Sequence, residues 1–115
     1  DIGIIAPYRA QVALIRRKID SFISKVEIKF SSNKMVDTID RFQGDERDVI
    51  IFSMALSDVA ISDLLKDKRK INVALSRAKK KLIVVGNWDL ANKYKVFKSL
   101  FDYVKGNKHS KLIRI

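Results

Sequence analysis

MVDTIDRFQGDERDVIIFS, residues Met35 to Ser53, sets a polar, glycine-bearing segment directly before a run with no polar side chain. Val49-Ile50-Ile51-Phe52 is β-branched or aromatic throughout. That composition suits a short strand buried on both faces, as in a parallel sheet covered by helices. Asp40-Arg41-Phe42-Gln43-Gly44-Asp45-Glu46 is too charged for a core. Polar loops carried by buried strands are where α/β proteins hold ligands. A charged surface turn, with Gly44 supplying a positive φ, accounts for the same residues.

Upstream, Ile2 to Ala6 reads as a strand, and Pro7 fits the first turn of a following helix. Val12, Ile15, Ile19 and Ile23 recur at spacings of three and four, the stripe of an amphipathic helix; Arg16 and Arg17 fall off it. Tyr8 and Gln11 lie at the strand-to-helix junction, where they meet a ligand or simply pack and cap the turn. Val26, Ile28 and Phe30 alternate with charged residues and predict a half-buried strand. A further short strand is expected over Val36 to Ile39.

Downstream, Ser62 or Asp63 is a suitable cap for a helix over Leu64 to Ala78. Its apolar face is Ile71, Ala74, Leu75 and Ala78, with Arg69 and Arg77 projecting from the other side. Lys79 and Lys80 then sit at the helix C-terminus, where the dipole favours cations. Leu82-Ile83-Val84-Val85 is a second apolar strand, stopped by Gly86-Asn87. A last helix is expected over Leu90 to Val104, and an edge strand over Leu112 to Ile115. Strands alternating with amphipathic helices indicate one three-layer α/β domain with a mostly parallel sheet.

The 115 residues suffice for a real core. No apolar run approaches the ~20 residues needed to span a bilayer. Cysteine is absent, which removes disulfide and thiolate chemistry and fits a cytoplasmic or otherwise intracellular protein. The net charge of +11 is one-sided: residues 1–57 hold nine Lys/Arg against eight Asp/Glu, and residues 58–115 hold fifteen against five. Such a basic half favours polyanions, nucleic acid first. Lysine enrichment for solubility is the plainer explanation.

No G-x-x-x-x-G-K-[ST] run occurs, so there is no phosphate cradle of the P-loop kind. His109 stands alone in a polar tail, far from any credible triad or metal set. As an independent enzyme the chain is poor. As half of one it is better, because an arginine carried outward by a small α/β domain can stabilise phosphoryl oxygens held by a neighbour.

Three blocks carry a resemblance. They are Ile4-Ile5-Ala6-Pro7-Tyr8-Arg9-Ala10-Gln11, the run from Val36 to Ile51, and Arg69-Lys70-Ile71-Asn72-Val73-Ala74-Leu75-Ser76-Arg77-Ala78-Lys79. They resemble blocks of the second RecA-like domain of superfamily 1 helicases, closest to the Upf1/Dna2-like branch, which read TPYxxQ, TVDxFQGxExDVII and RRLNVALTRAK. Matching segments reach Asn87. The resemblance implies a RecA-like, P-loop NTPase-type fold that lacks the P-loop itself, and a domain working in ATP-driven translocation along single-stranded DNA or RNA. It implies that Arg77 contacts the γ-phosphate, and that Gly44 and Glu46 approach the nucleotide. Thr38 and Asp40 then face the nucleic acid strand, and Arg69 helps join the two sites. ATP and Mg2+ would be held mainly by a first RecA-like domain, the implied partner, with no membrane involved. Ser76 stands for the usual threonine and Lys70 for the usual arginine. Residues 1–115 are then most of one domain of a longer helicase-like protein, inactive as an ATPase alone. A stand-alone basic nucleic-acid-binding or regulatory module is the other reading.

Overall fold

A computed structural model describes residues 1–27, 31–42, 45–54 and 67–113. In chain order these form β1 (Ile2–Ala6), α1 (Arg9–Val26), α2 (Ser32–Met35), β2 (Val36–Thr38) and β3 (Arg47–Ser53). They continue as α3 (Lys68–Leu75), β4 (Ala78–Val85), α4 (Trp88–Ala91) and α5 (Lys95–Gly106). Among the described residues the sheet has the order β2-β1-β3-β4, and every pairing is parallel. Helices pack on both faces, giving the expected three-layer α/β domain of RecA-like topology.

Alternation along the strands sorts the core. Ile5, Ile50 and Phe52 are fully buried on one face, packed with Leu82 and Val84 against Ile71 and Ala74 of α3, Ala91 of α4 and Phe97 of α5. On the other face Ile4, Ala6 and Val36 meet Val12, Ile15 and Ile19 of α1. α1 lies over β1 and β2, and Arg16 fastens it there by donating from Nε to the Val36 carbonyl at 3.0 Å. Ile83 and Val85 on the outer strand β4 remain 37% and 52% exposed. The expectation that Val49–Phe52 is buried on both faces holds fully for Ile50 and Phe52, while Val49 and Ile51 on the other face are half-buried.

Several boundaries differ from the sequence reading, each for a local reason. α1 runs through Val26 and ends where Glu27 takes a left-handed conformation (φ 55°), so Val26 is helical rather than part of a strand. Residues 28–30 lie outside the described residues, as do the connector at 57–63 and its caps Ser62 and Asp63. α3 starts at Lys68 because the Asp67 carboxylate accepts the N–H groups of Arg69 and Lys70 at 3.0 and 3.2 Å. Lys79, Lys80 and Lys81 belong to β4, not to a helix end. The last helix is broken at Asn92–Tyr94, and Asn87 caps its first piece by accepting from Asp89 and Leu90. Of the edge strand expected over Leu112 to Ile115, Leu112 and Ile113 form no strand, and residues 114–115 lie outside the described residues.

Candidate functional site

The sequence-selected residues fall into two groups at opposite ends of α3, roughly 12 Å apart at 1.5 Å per residue. The helix runs back from the carboxyl ends of the strands to their amino ends.

At the amino ends, α3 closes through Ser76, whose N–H bonds the Asn72 carbonyl at 3.0 Å. Arg77 follows in the turn, not on the outer face of a helix. Its carbonyl accepts the Arg47 N–H at 3.1 Å, and Arg47 stands opposite Ala78 in the β3–β4 ladder. This places Arg77 beside Asp45, Glu46 and Arg47. Arg77 is half-buried rather than exposed, and its Nε is buried with no hydrogen-bond partner. A buried donor without an acceptor is uncommon and costly. Glu46 is exposed, with Lys79 Nζ 3.8 Å from its carboxylate. Gly44 lies outside the described residues.

Arg47 is the most heavily engaged cation here. Its two terminal nitrogens grip the two Asp45 carboxylate oxygens, with Nη2 to Oδ2 at 2.6 Å. Nη1 also donates to the Glu46 carbonyl at 3.0 Å, and Nε lies 3.4 Å from Asp1 Oδ1. The guanidinium sits 5.5 Å from the centre of the Phe42 ring. A Cβ at Gly3 would strike that ring and come within 2.9 Å of Arg47 Cγ, so glycine makes room for both side chains. The Arg47 hydrogen bond holds the Asp45 carboxyl below its usual range, with the charges of Arg47 and Arg77 adding to it against the opposing effect of burial.

At the carboxyl ends, Thr38 closes β2 opposite Ala6, and Asp40 follows in the turn. Asp40 Oδ1 is 2.9 Å from Lys70 Nζ, and this hydrogen bond raises the lysine above its ordinary pKa. Asp67 caps the helix from the same side, and Arg69 is exposed in its first turn. Tyr8 takes the cap position of α1 without a side-chain capping bond. Gln11, in the first turn of α1, reaches β3, its Nε2 donating to Ser53 Oγ at 2.6 Å while its Oε1 stays buried and without a partner among the described residues. Nothing in the sequence spacing singles out Ser53 as its partner. Back at the amino ends, Lys79, Lys80 and Lys81 form an exposed basic stretch at the start of β4.

Among the described residues Arg77 has a buried Nε without an acceptor and no carboxylate hydrogen-bonded to it, an arrangement compatible with an anionic ligand. Among the described residues no three His, Cys, Asp or Glu side chains gather closely enough to hold an ion, and His109 is exposed. No helix among them is long and apolar enough to cross a membrane.

The chain is similar to known proteins. A family model described as AAA domain matches residues 1–89. The chain is 40% identical over 112 residues to the DNA replication ATP-dependent helicase/nuclease DNA2 of Xenopus tropicalis, covering 95% of this chain and 10% of that protein. It is 39% identical over 98 residues to the DNA polymerase alpha-associated DNA helicase A of Saccharomyces cerevisiae, covering 81% and 14%. It is 38% identical over 102 residues to the helicase sen1 of Schizosaccharomyces pombe, covering 88% and 6%. The chain thus spans about a tenth of the length of the curated relatives it matches.

Proposed function

Since the chain belongs to the AAA-domain family, we propose that it is the second RecA-like domain of a superfamily 1 helicase of the Dna2/Upf1-like branch. Its work is to complete an ATP site on a partner domain and to carry part of the single-stranded DNA or RNA. The observation that carries this reading is Arg77, whose carbonyl receives the Arg47 N–H in the turn before β4 and whose buried Nε has no hydrogen-bond partner among the described residues. A phosphoryl oxygen is the acceptor such a group lacks.

Bound ATP supplies the transferable phosphoryl group. Arg77 donates to its oxygens as charge builds on them, and its planar fork bridges two oxygens where a lysine offers a single point charge. Glu46, just before β3, approaches the nucleotide, together with Gly44, which precedes it by two residues in the sequence. The P-loop and the main Mg2+ ligands belong to the partner domain, so these 115 residues alone do not turn over ATP. Thr38 and Asp40, at the other end of α3, face the nucleic acid strand, and Arg69 joins the two ends. The basic residues of β4 add sequence-independent attraction for phosphates.

The test is nucleic-acid-stimulated ATP hydrolysis by the full-length protein. Arg77→Ala is expected to lower kcat by about 10³-fold while ATP affinity changes by less than about tenfold. Arg17→Ala, an exposed cation on α1, is the control for loss of positive charge. Arg16 is unsuitable because it anchors α1 to β2. Equal, small effects from Arg77→Ala and Arg17→Ala would favour the basic binding module without a motor.

A further inference from the structure

Asp45 and Arg47 occupy positions that the pattern TVDxFQGxExDVII leaves open, so the family resemblance gives neither a role. Yet Arg47 is the more heavily engaged of the two arginines beside the proposed nucleotide-facing group. Its side chain is only 18% exposed, against 54% for Asp45. It is held by the fork-to-fork grip on Asp45, the Glu46 carbonyl, the Phe42 ring and the space above Gly3. Arg77 has no comparable partner for its buried Nε.

We propose that Arg47 is a positioning residue for Arg77: by clamping the Asp45 carboxylate it keeps a neighbouring anion off the Arg77 guanidinium, which stays free for phosphoryl oxygens. The inference rests on the proposed function of Arg77. The geometry makes competition between the two arginines concrete. Arg47 and Arg77 are joined through the backbone at 3.1 Å, and Asp45 lies two residues before Arg47 in the segment that leads into β3. Asp45 also stands in the electrostatic field of both arginines. Freed from Arg47, an exposed and rotatable carboxylate has Arg77 as its next cation. A finger paired to its own domain must break that pair in each catalytic cycle, and turnover falls.

A bland role, in which the clamp only fastens the loop, predicts lower melting temperature and no effect specific to chemistry. The two are separated in the full-length protein by ATPase kinetics of Arg47→Met, which keeps an apolar stem over Gly3. The expected result is a fall in kcat of about tenfold or more with KM for ATP within about threefold. The double variant Arg47→Met/Asp45→Asn is expected to return to within about threefold of wild type, since the competing charge is gone. Unchanged kcat in Arg47→Met, or a loss that Asp45→Asn does not relieve, overturns the proposal. Should Arg47→Met fail to fold, Arg47→Lys serves instead: a weaker grip predicts a partial loss of kcat, again relieved by Asp45→Asn. Arg77→Ala measured alongside keeps the readings apart. If Arg77→Ala loses turnover and Arg47→Met does not, only the positioning role fails; if Arg77→Ala is near normal, the finger itself fails.

Discussion

At the start of α3 the charged groups satisfy one another: Asp67 accepts the N–H groups of Arg69 and Lys70, and the Lys70 ammonium meets Asp40. At its end, roughly 12 Å away, Arg77 keeps a buried Nε with no acceptor, while the carboxylate next to it is bound to a different arginine. Both ends lie on one short helix with the same core face, so packing does not account for the difference. The helix cap and the Lys70–Asp40 pair are complete within the domain, while the exposed Arg69 side chain stays available to solvent and ligand. An open donor, in a place where burial makes openness costly, suits an acceptor brought from outside the domain, the phosphoryl oxygen proposed above.

Breaking the open end is expected to have the largest effect, the loss of about 10³ in kcat for Arg77→Ala. Next in size is Gly3→Ala. Its Cβ meets the buried Phe42 ring and the Arg47 stem, so both must shift, at a cost on the order of 1–3 kcal/mol as in other overpacked sites. Chemical denaturation measures that cost. The same substitution loosens the floor under Arg47, so turnover should fall further than a purely thermodynamic defect explains. Smallest is Asp67→Ala at the closed end. Losing the cap is expected to destabilise the domain by about 1 kcal/mol, with kcat nearly unchanged. A large kcat loss from Asp67→Ala would erase the distinction between the two ends.

Much of the fold was legible in the sequence because it rests on periodicity. The apolar run at Val49–Phe52, the stripe Val12, Ile15, Ile19 and the buried pair Ile71 and Ala74 all appear where their spacing puts them. The failures share a cause, which is polar chemistry acting over short or long range. Asp67, not an apolar residue, decides where α3 begins, and the left-handed Glu27 decides where α1 stops. Lys79–Lys81 form a strand because β3 offers them a ladder, although three lysines also suit a helix end. For the site, the three blocks picked out the residues, but spacing could not show that Arg77 sits in a turn or that its Nε is orphaned. Nor could it show that Arg47, between two block positions, reaches Asp45, Asp1 and Phe42 at once.

The central claim is that Arg77 acts on the transition state of phosphoryl transfer, and the most direct measurement is affinity for a mimic of that state. Binding of ADP with aluminium fluoride and Mg2+, in the presence of single-stranded nucleic acid, is compared with binding of ADP alone in the full-length protein. Wild type is expected to bind the mimic at least about 10² more tightly than ADP, as transition-state analogues do. Arg77→Ala is expected to bind ADP nearly as well as wild type and to lose most of that extra affinity. An Arg77→Ala protein that binds the mimic with the full wild-type preference would contradict the claim.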